Sequence, residues 1–268
     1  MAAGLPKWSF YPERKLVMPS TQALITQEDL YHEFQPICHL HTHKTIGYEA
    51  LIRCSTEPRI DRLFRAAARH NMLFTLDTLS IYNAISACFA DPGRVESDQH
   101  LFVNVFPSTL SSDRFTRFIF KLMQRYGKYA NNIVFEINEA ISEMDDWDTG
   151  QFLRNIHLLR ECGFLVALDD VGEGATTLKR IVEIGPDFIK MDRFFAKHLL
   201  FSKQKQKLLK FFVDFCGDES NLILEGIEEV EDLRQSCKLG VPFGQGYLLA
   251  KPGPLPGRPP TSFRSIED

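Results

Sequence analysis

Short apolar runs alternate along the chain with longer stretches in which apolar residues recur at spacings of three and four. The short runs are Gln35–Leu40, Ile46–Arg53, Leu101–Phe106, Ile133–Ile137, Phe164–Asp169, Phe188–Met191, Leu222–Glu225 and Phe243–Leu248. Their length and their β-branched and aromatic content predict strands. The longer stretches Arg62–Phe89, Phe115–Tyr126, Gln151–Cys162, Lys203–Phe215 and Val230–Leu239 predict helices. Gly163 and Gly240 directly follow two of them, where a left-handed C-cap is expected. Strand–helix alternation implies βαβ units on a parallel sheet. Eight strand candidates in one α/β domain of this length predict a closed (β/α)8 barrel, with a doubly wound open sheet as the alternative.

The two ends lack this pattern. Residues 1–28, which include Trp8, Phe10, Tyr11, Pro12 and Pro19, show no clear period and read as an N-terminal extension packed on the main domain. Pro252, Pro254, Pro256, Pro259 and Pro260 exclude a helix or central strand at the other end. The organisation expected is an extension over 1–28, one barrel over 29–252 and a loose proline-rich tail over 253–268.

Composition narrows the class. With 268 residues, 44% hydrophobic and 25% charged, the chain can bury a full core without metal or disulfide staples. Lys and Arg total 31 against 35 Asp and Glu, a net charge of −4, which argues against a dedicated binder of duplex nucleic acid. The six cysteines contain no C-x-x-C pair, so neither a zinc ribbon nor a disulfide framework is indicated. The N-terminus has no apolar signal region, and no run approaches the roughly 18 apolar residues of a membrane span. A cytoplasmic protein is expected.

Most of the strands carry a polar residue that local packing would not select. They are Glu49, Asn104, Glu136, the pair Asp169 and Asp170, Lys190 with Asp192, Glu225 and Gln245. A charged group inside an apolar strand is costly unless paired or bound to metal. In a barrel the C-terminal strand ends surround one mouth, so Glu49, Asn104, Glu136, Asp169, Asp170, Lys190, Glu225 and Gln245 would converge there. Five carboxylates so close repel one another, and hard divalent cations such as Mg²⁺ or Mn²⁺ are the natural remedy. Such density suits two metals about 3.5–4 Å apart with a bridging aspartate, the arrangement that activates water in phosphoester hydrolysis.

These residues carry a resemblance to a known family. Gln35-Pro36, Glu49-Ala-Leu-Ile-Arg53, Val103-Asn-Val105, Glu136-Ile-Asn-Glu139, Asp169-Asp-Val-Gly-Glu-Gly174, Lys190-Met-Asp192, Glu225-Gly-Ile-Glu228 and Gln245-Gly-Tyr247 occur in this order between about Tyr31 and Pro252. The ordered set resembles the EAL domain, a bacterial phosphodiesterase module for cyclic di-GMP. The resemblance implies a modified (β/α)8 TIM-like barrel in a single domain. It implies metal-dependent hydrolysis of cyclic di-GMP to linear pGpG, with two Mg²⁺ or Mn²⁺ per site. Glu49, Asn104, Glu136 and Asp169 would hold one metal, and Asp169 would bridge to a second shared with Asp170. Lys190 would hold or polarise the attacking water, and Glu225 would serve as general base or position that water. On the substrate side the resemblance implies Gln35 at a guanine, Arg53 at a phosphate, and Glu49, Leu51, Asp192 and Gln245 lining the same mouth. Glu139 would brace the loop after Asp170, and Glu228 would support the site from behind. A homodimer is also implied.

The loop after the aspartate pair departs from the family pattern. Phe-Gly-Thr-Gly-Tyr-Ser-Ser-Leu is replaced by Val171-Gly-Glu-Gly-Ala-Thr-Thr-Leu178, which keeps both glycines but introduces Glu173 and loses an aromatic at Ala175. This change is the sequence feature that supports a rival function, a weak or inactive EAL domain acting as a cyclic di-GMP receptor or protein-interaction module. No Gly-Gly-Asp-Glu-Phe motif and no sensory domain is visible, so regulation would come through residues 1–28, dimerisation or a separate partner. His39, His41 and His43 alternate as zinc ligands could, but read as surface residues of the turn between the first two strands. Phe115–Phe120 and Phe211–Phe215 are expected to seal helices onto the barrel, and Lys203–Lys210 to form a solvated basic face.

Overall fold

The computed structural model describes residues 17–19, 24–90, 96, 98–137, 150–172, 178–217 and 221–256. Its centre is a closed barrel of eight strands: β3 (Leu30–His39), β4 (Thr45–Cys54), β5 (His100–Val105), β6 (Ile133–Ile137), β7 (Leu165–Val171), β8 (Phe188–Met191), β9 (Asn221–Leu224) and β10 (Phe243–Gly244), which closes on β3. Ahead of it, β1 (Val17–Pro19) and β2 (Leu24–Thr26) pair antiparallel with each other.

The barrel is not uniformly parallel. Strand β3 runs antiparallel to both of its neighbours, β4 and β10, while the remaining pairs are parallel. The cause is the length of the first connection. A parallel crossover needs a dozen or more residues, and residues 40–44 supply only a turn. His43 takes a positive φ of 58° there, and the Nδ1 of His39 accepts the backbone N–H groups of His41 and Thr42. The alternating histidines therefore serve the hairpin.

Helices wrap the outside. They are α1 (Ile60–Arg69), α2 (Leu73–Phe89), the short α3 (Pro107–Leu110), α4 (Arg114–Tyr126), α5 (Gly150–Glu161), α6 (Leu178–Ile184), the short α7 (Arg193–Ala196), α8 (Lys203–Cys216) and α9 (Val230–Leu239). The single helix expected over Arg62–Phe89 is two, because Asn71 adopts a left-handed φ of 56° between them. Asparagine tolerates that conformation where bulkier residues do not. The last strand is two residues rather than Phe243–Leu248: beyond Gly244 the chain bonds the turn after β9, with Ile227 N–H on the Gln245 carbonyl and Leu248 N–H on Ile227.

Two apolar layers hold this shell together. Outward-facing strand residues such as Val103, Phe135, Val166 and Ile189 pack with the helices, while Ile37, Phe102, Val134, Ala167, Phe188 and Ile223 form a separate plug inside the barrel. The aromatic seal holds only in part. Phe115, Phe118 and Phe212 are buried, but Phe120, Phe211 and Phe215 are exposed. Lys203, Lys207 and Lys210 are solvated as expected, whereas Lys205 lies over the Phe194 ring and donates to the carbonyl of Lys197. The start of the proline-rich tail is not loose: Gly253 exchanges two backbone hydrogen bonds with Phe34, and Leu255 is buried. Residues 257–268 lie outside the described residues. No helix among the described residues is long and apolar enough to cross a membrane.

Candidate active site

Each barrel strand, or the residue just past its end, contributes one polar side chain to the layer above the apolar plug. Period-two alternation sets this layer, because residues two apart on a strand share a face. Two residues past Phe102, Val134, Ala167, Phe188, Ile223 and Phe243 stand Asn104, Glu136, Asp169, Lys190, Glu225 and Gln245. Gly47 is followed in the same way by Glu49, and on the reversed strand β3 Ile37 is matched by Gln35. Glu49, Glu136, Asp169, Lys190, Gln35 and Gln245 are buried.

Lys190 is the centre of the arrangement. Its Nζ lies 2.7 Å from Glu225, 2.8 Å from Glu136, 3.1 Å from Asp169 and 3.4 Å from Glu49. An ammonium has three protons and cannot align them with four carboxylates. Neither carboxylate oxygen of Glu136 receives an aligned hydrogen bond despite complete burial. Burial and then the charges of Glu49 and Asp169 push the Glu136 carboxyl well above the ordinary range, against the pull of Lys190. Glu225 is raised in the same way, by burial first and then by Asp169 and Glu49. Burial also acts upward on Glu49, but Lys190, Gln245 and Asn104 outweigh it and hold that carboxyl below its usual value. Burial would discharge Lys190; the four carboxylates more than reverse this and keep it charged.

Amides brace the ring. Gln245 Nε2 donates to Glu49 at 2.7 Å and to the Gln35 side-chain oxygen at 3.1 Å, Asn104 Nδ2 donates to Glu49 at 3.3 Å, and Gln35 Nε2 donates to the Ala250 carbonyl. Consecutive aspartates should point to opposite faces, yet both turn toward the mouth. The β7–β8 ladder shifts register between Leu168 and Val171, and Asp170 adopts a φ of 51°. A bulge re-aims side chains in this way. Asp169, Asp170 and Glu225 then offer oxygens within 4.8 Å of one another, a geometry able to hold a metal ion. The turn below Glu225 depends on Gly226: its φ is +66°, and a Cβ there would lie 2.2 Å from that of Arg193.

The donor set suits a hard divalent cation: carboxylate oxygens and one amide, with the Asp169, Asp170 and Glu225 oxygens already gathered. The other expected residues stand in different surroundings. Asp192 caps α7, its Oδ1 accepting the Phe194 N–H at 2.8 Å. Glu228 is exposed in the loop before α9. Leu51 and Arg53 continue the lumen face of β4 outward from Glu49. Glu139 and the altered loop positions Glu173 and Ala175 lie outside the described residues. Sequence reasoning missed Glu33, which pairs with Arg53 through Oε2 and Nε at 2.8 Å. It precedes the strand start expected at Gln35, and the longer β3 is what brings it into register.

A family model for the EAL domain matches residues 20–252. The chain is 30% identical over 235 residues to the probable cyclic di-GMP phosphodiesterase PdeI of Escherichia coli K12, covering 85% of this chain and 29% of that protein. It is 26% identical over 239 residues to the cyclic di-GMP phosphodiesterase PdeB of Shewanella oneidensis, covering 86% and 27%. It thus spans less than a third of the length of either curated relative. Among solved structures, Klebsiella pneumoniae BlrP1 in a calcium and cyclic di-GMP complex superposes with a TM-score of 0.74 at 23% identity, covering 91% of this chain and 60% of that one. That likeness supports the fold.

Proposed function

Because the chain belongs to the EAL domain family, we propose that it hydrolyses cyclic di-GMP to linear pGpG, using two Mg²⁺ or Mn²⁺ ions. The observation that carries this reading is the lumen ring of four carboxylates around one buried lysine, two of which, Asp169 and Glu225, also lie close enough to Asp170 to share a cation. Bound divalent ions would supply Lewis-acid activation of water and neutralise charge on the phosphoryl oxygens. Glu49, Asn104, Glu136 and Asp169 would hold one ion, and Asp169 with Asp170 the second. Glu225 reaches the same space as the aspartates, placing it to ligate or to accept a proton from the attacking water. Lys190, kept charged by its neighbours, offsets negative charge that develops at the phosphorus. Gln245 and Asn104 orient the Glu49 carboxylate by donating to it. Gln35 and Arg53 would contact the guanine and a phosphate.

We further propose a homodimer and a cytoplasmic location. Phe201, Leu208, Phe211 and Phe215 are exposed on and beside α8, and the Phe211 and Phe215 rings stack on each other. A contiguous apolar stripe of this kind favours burial against a second copy.

The test is incubation of purified protein with cyclic di-GMP and Mn²⁺ or Mg²⁺, following pGpG by chromatography with Glu49→Ala as control. Metal-dependent pGpG that disappears in the variant is the expected result. No product from folded wild-type protein would reject catalysis and leave a binding role for the same ring.

A further inference from the structure

The lumen face of the β3–β4 hairpin carries a carboxylate that hydrolysis does not need. In antiparallel pairs, partnered residues share a face, and faces alternate along each strand. Gln35 partners Glu49, Glu33 partners Leu51 and Tyr31 partners Arg53, so all six sit on the face of the catalytic ring. Arg53 stands four residues beyond Glu49, about 13 Å toward the rim at ~3.3 Å per residue. The pair lies on the wall of the mouth that a dianionic substrate would enter, which makes a glutamate there unexpected on electrostatic grounds.

The hydrogen bonds of the pair give its use. Arg53 Nε donates to Glu33 Oε2 at 2.8 Å, and Nη1 donates to the Ile52 carbonyl at 3.1 Å. These contacts engage Nε and one of the two Nη1 protons. Among the described residues, Nη2 and the second Nη1 proton have no acceptor, and together they form the fork that matches two phosphate oxygens. An unanchored arginine would lose much of its rotamer freedom on binding, whereas one held at Nε has already lost it. The glutamate is about one-third exposed, so solvent and salt weaken its repulsion of an incoming phosphate.

We infer that Glu33 is a positioning residue for substrate binding: it holds Arg53 through Nε so that the outer fork meets a phosphate of the cyclic dinucleotide. The inference rests on the substrate reading proposed above. It assigns Glu33 no part in the chemical step, and its effect belongs in KM and Kd rather than kcat.

The experiment titrates wild type, Glu33→Gln and Glu33→Leu with cyclic di-GMP by calorimetry in Ca²⁺, and measures KM and kcat in Mn²⁺. Glu33→Leu should raise Kd and KM about fivefold, of the order of one lost orienting hydrogen bond to a charged group, with kcat within about twofold. Glu33→Gln keeps an oxygen acceptor for Nε and should stay within about twofold of wild type. In an Arg53→Ala background, Glu33→Leu should change nothing further. The inference is overturned if Glu33→Leu binds as well as wild type or more tightly, if Glu33→Gln binds as poorly as Glu33→Leu, or if the effect persists without Arg53. Wild-type protein that binds no cyclic di-GMP overturns the substrate reading and this inference with it. Wild-type binding unchanged in Glu33→Leu overturns this inference alone.

Discussion

The apolar plug and the polar ring of this barrel lie on the same strands, one pleat repeat apart, and differ in almost every physical respect. The plug is closed by dispersion and by edge-on aromatic contacts: the rings of Phe102 and Phe188 meet at 5.0 Å and 73°. Each such side chain stabilises the fold by about 1.5–3 kcal/mol through burial alone. In the ring, burial works against the charged state of Glu136 and Glu225, and one ammonium compensates several carboxylates. The contrast teaches that the lower layer bears the cost of closing the barrel, which leaves the upper layer free to be arranged for ligands at the expense of stability.

The largest test removes the ammonium of Lys190. Lys190→Met leaves Glu49, Glu136, Asp169 and Glu225 facing one another without their counter-charge. Breaking a buried ion pair from one side costs about 3–5 kcal/mol, and chemical denaturation of metal-free protein should show a loss of that order. Mn²⁺ should then restore more stability to the variant than it adds to wild type. Equal metal-free stability of the two proteins would mean that the ring does not depend on Lys190 for its charge balance.

Glu136→Gln separates function from stability within the ring. Its carboxyl is raised by burial, so between the ordinary carboxylate range and its native pKa the folded state holds more protons than the unfolded state. Stability contributed at this site therefore falls as pH rises through that window. The neutral amide removes the penalty, and metal-free protein at neutral pH should be at least as stable as wild type. Turnover should nevertheless fall by about 10²–10³, as when one charge-stabilising group is deleted from an active site. Denaturation curves and initial rates on the same preparations check both halves, and undiminished turnover would remove Glu136 from the machinery.

The ring was more legible in the sequence than the topology that builds it. Charged residues inside apolar runs are rare enough that Glu136, Asp169, Lys190 and Glu225 announced themselves, and ordered motifs assigned them to one mouth. The reversal of β3 was hidden because apolar patterning carries no strand direction; only the shortness of residues 40–44 encodes it. The break at Asn71 was missed because apolar spacing continues across it from α1 into α2. The face of a residue became readable only with register. That is why Glu33 was overlooked before β3 was seen to begin at Leu30, and why the capping bond that Asp192 makes to Phe194 was not readable from its place after Lys190-Met.

Changes in the plug should give the opposite signature. Phe102→Leu removes an aromatic that touches Phe188 and leaves a small void below the ring. A loss of about 1–2 kcal/mol is expected, with kcat per folded molecule close to wild type. If turnover falls far more than stability, the two layers are mechanically coupled and the separation between them fails.

A pH-dependent effect with no expected change in neutral-pH kinetics belongs to a titratable group on the far side of the barrel wall. His32 alternates with Glu33 on β3 and so faces outward, where Nε2 contacts Ser80 of α2 at 3.0 Å. Burial, aided by the charge of Arg53, lowers its pKa to about 3 from 6.5. Between those values the unfolded chain binds a proton that the native state refuses, so stability falls as pH drops through the window. Because the residue keeps some exposure, the loss at pH 5 relative to pH 7.5 is at most about 2 kcal/mol, from ~1.4 kcal/mol per pKa unit. His32→Gln can keep the contact to Ser80 without titrating, and should flatten the denaturation midpoint against pH while leaving KM and kcat at neutral pH unchanged. A wild-type slope no steeper than that of the variant would show that His32 stays accessible to protons. A change in neutral-pH kinetics would show instead that the outer face of β3 reaches the site through Arg53.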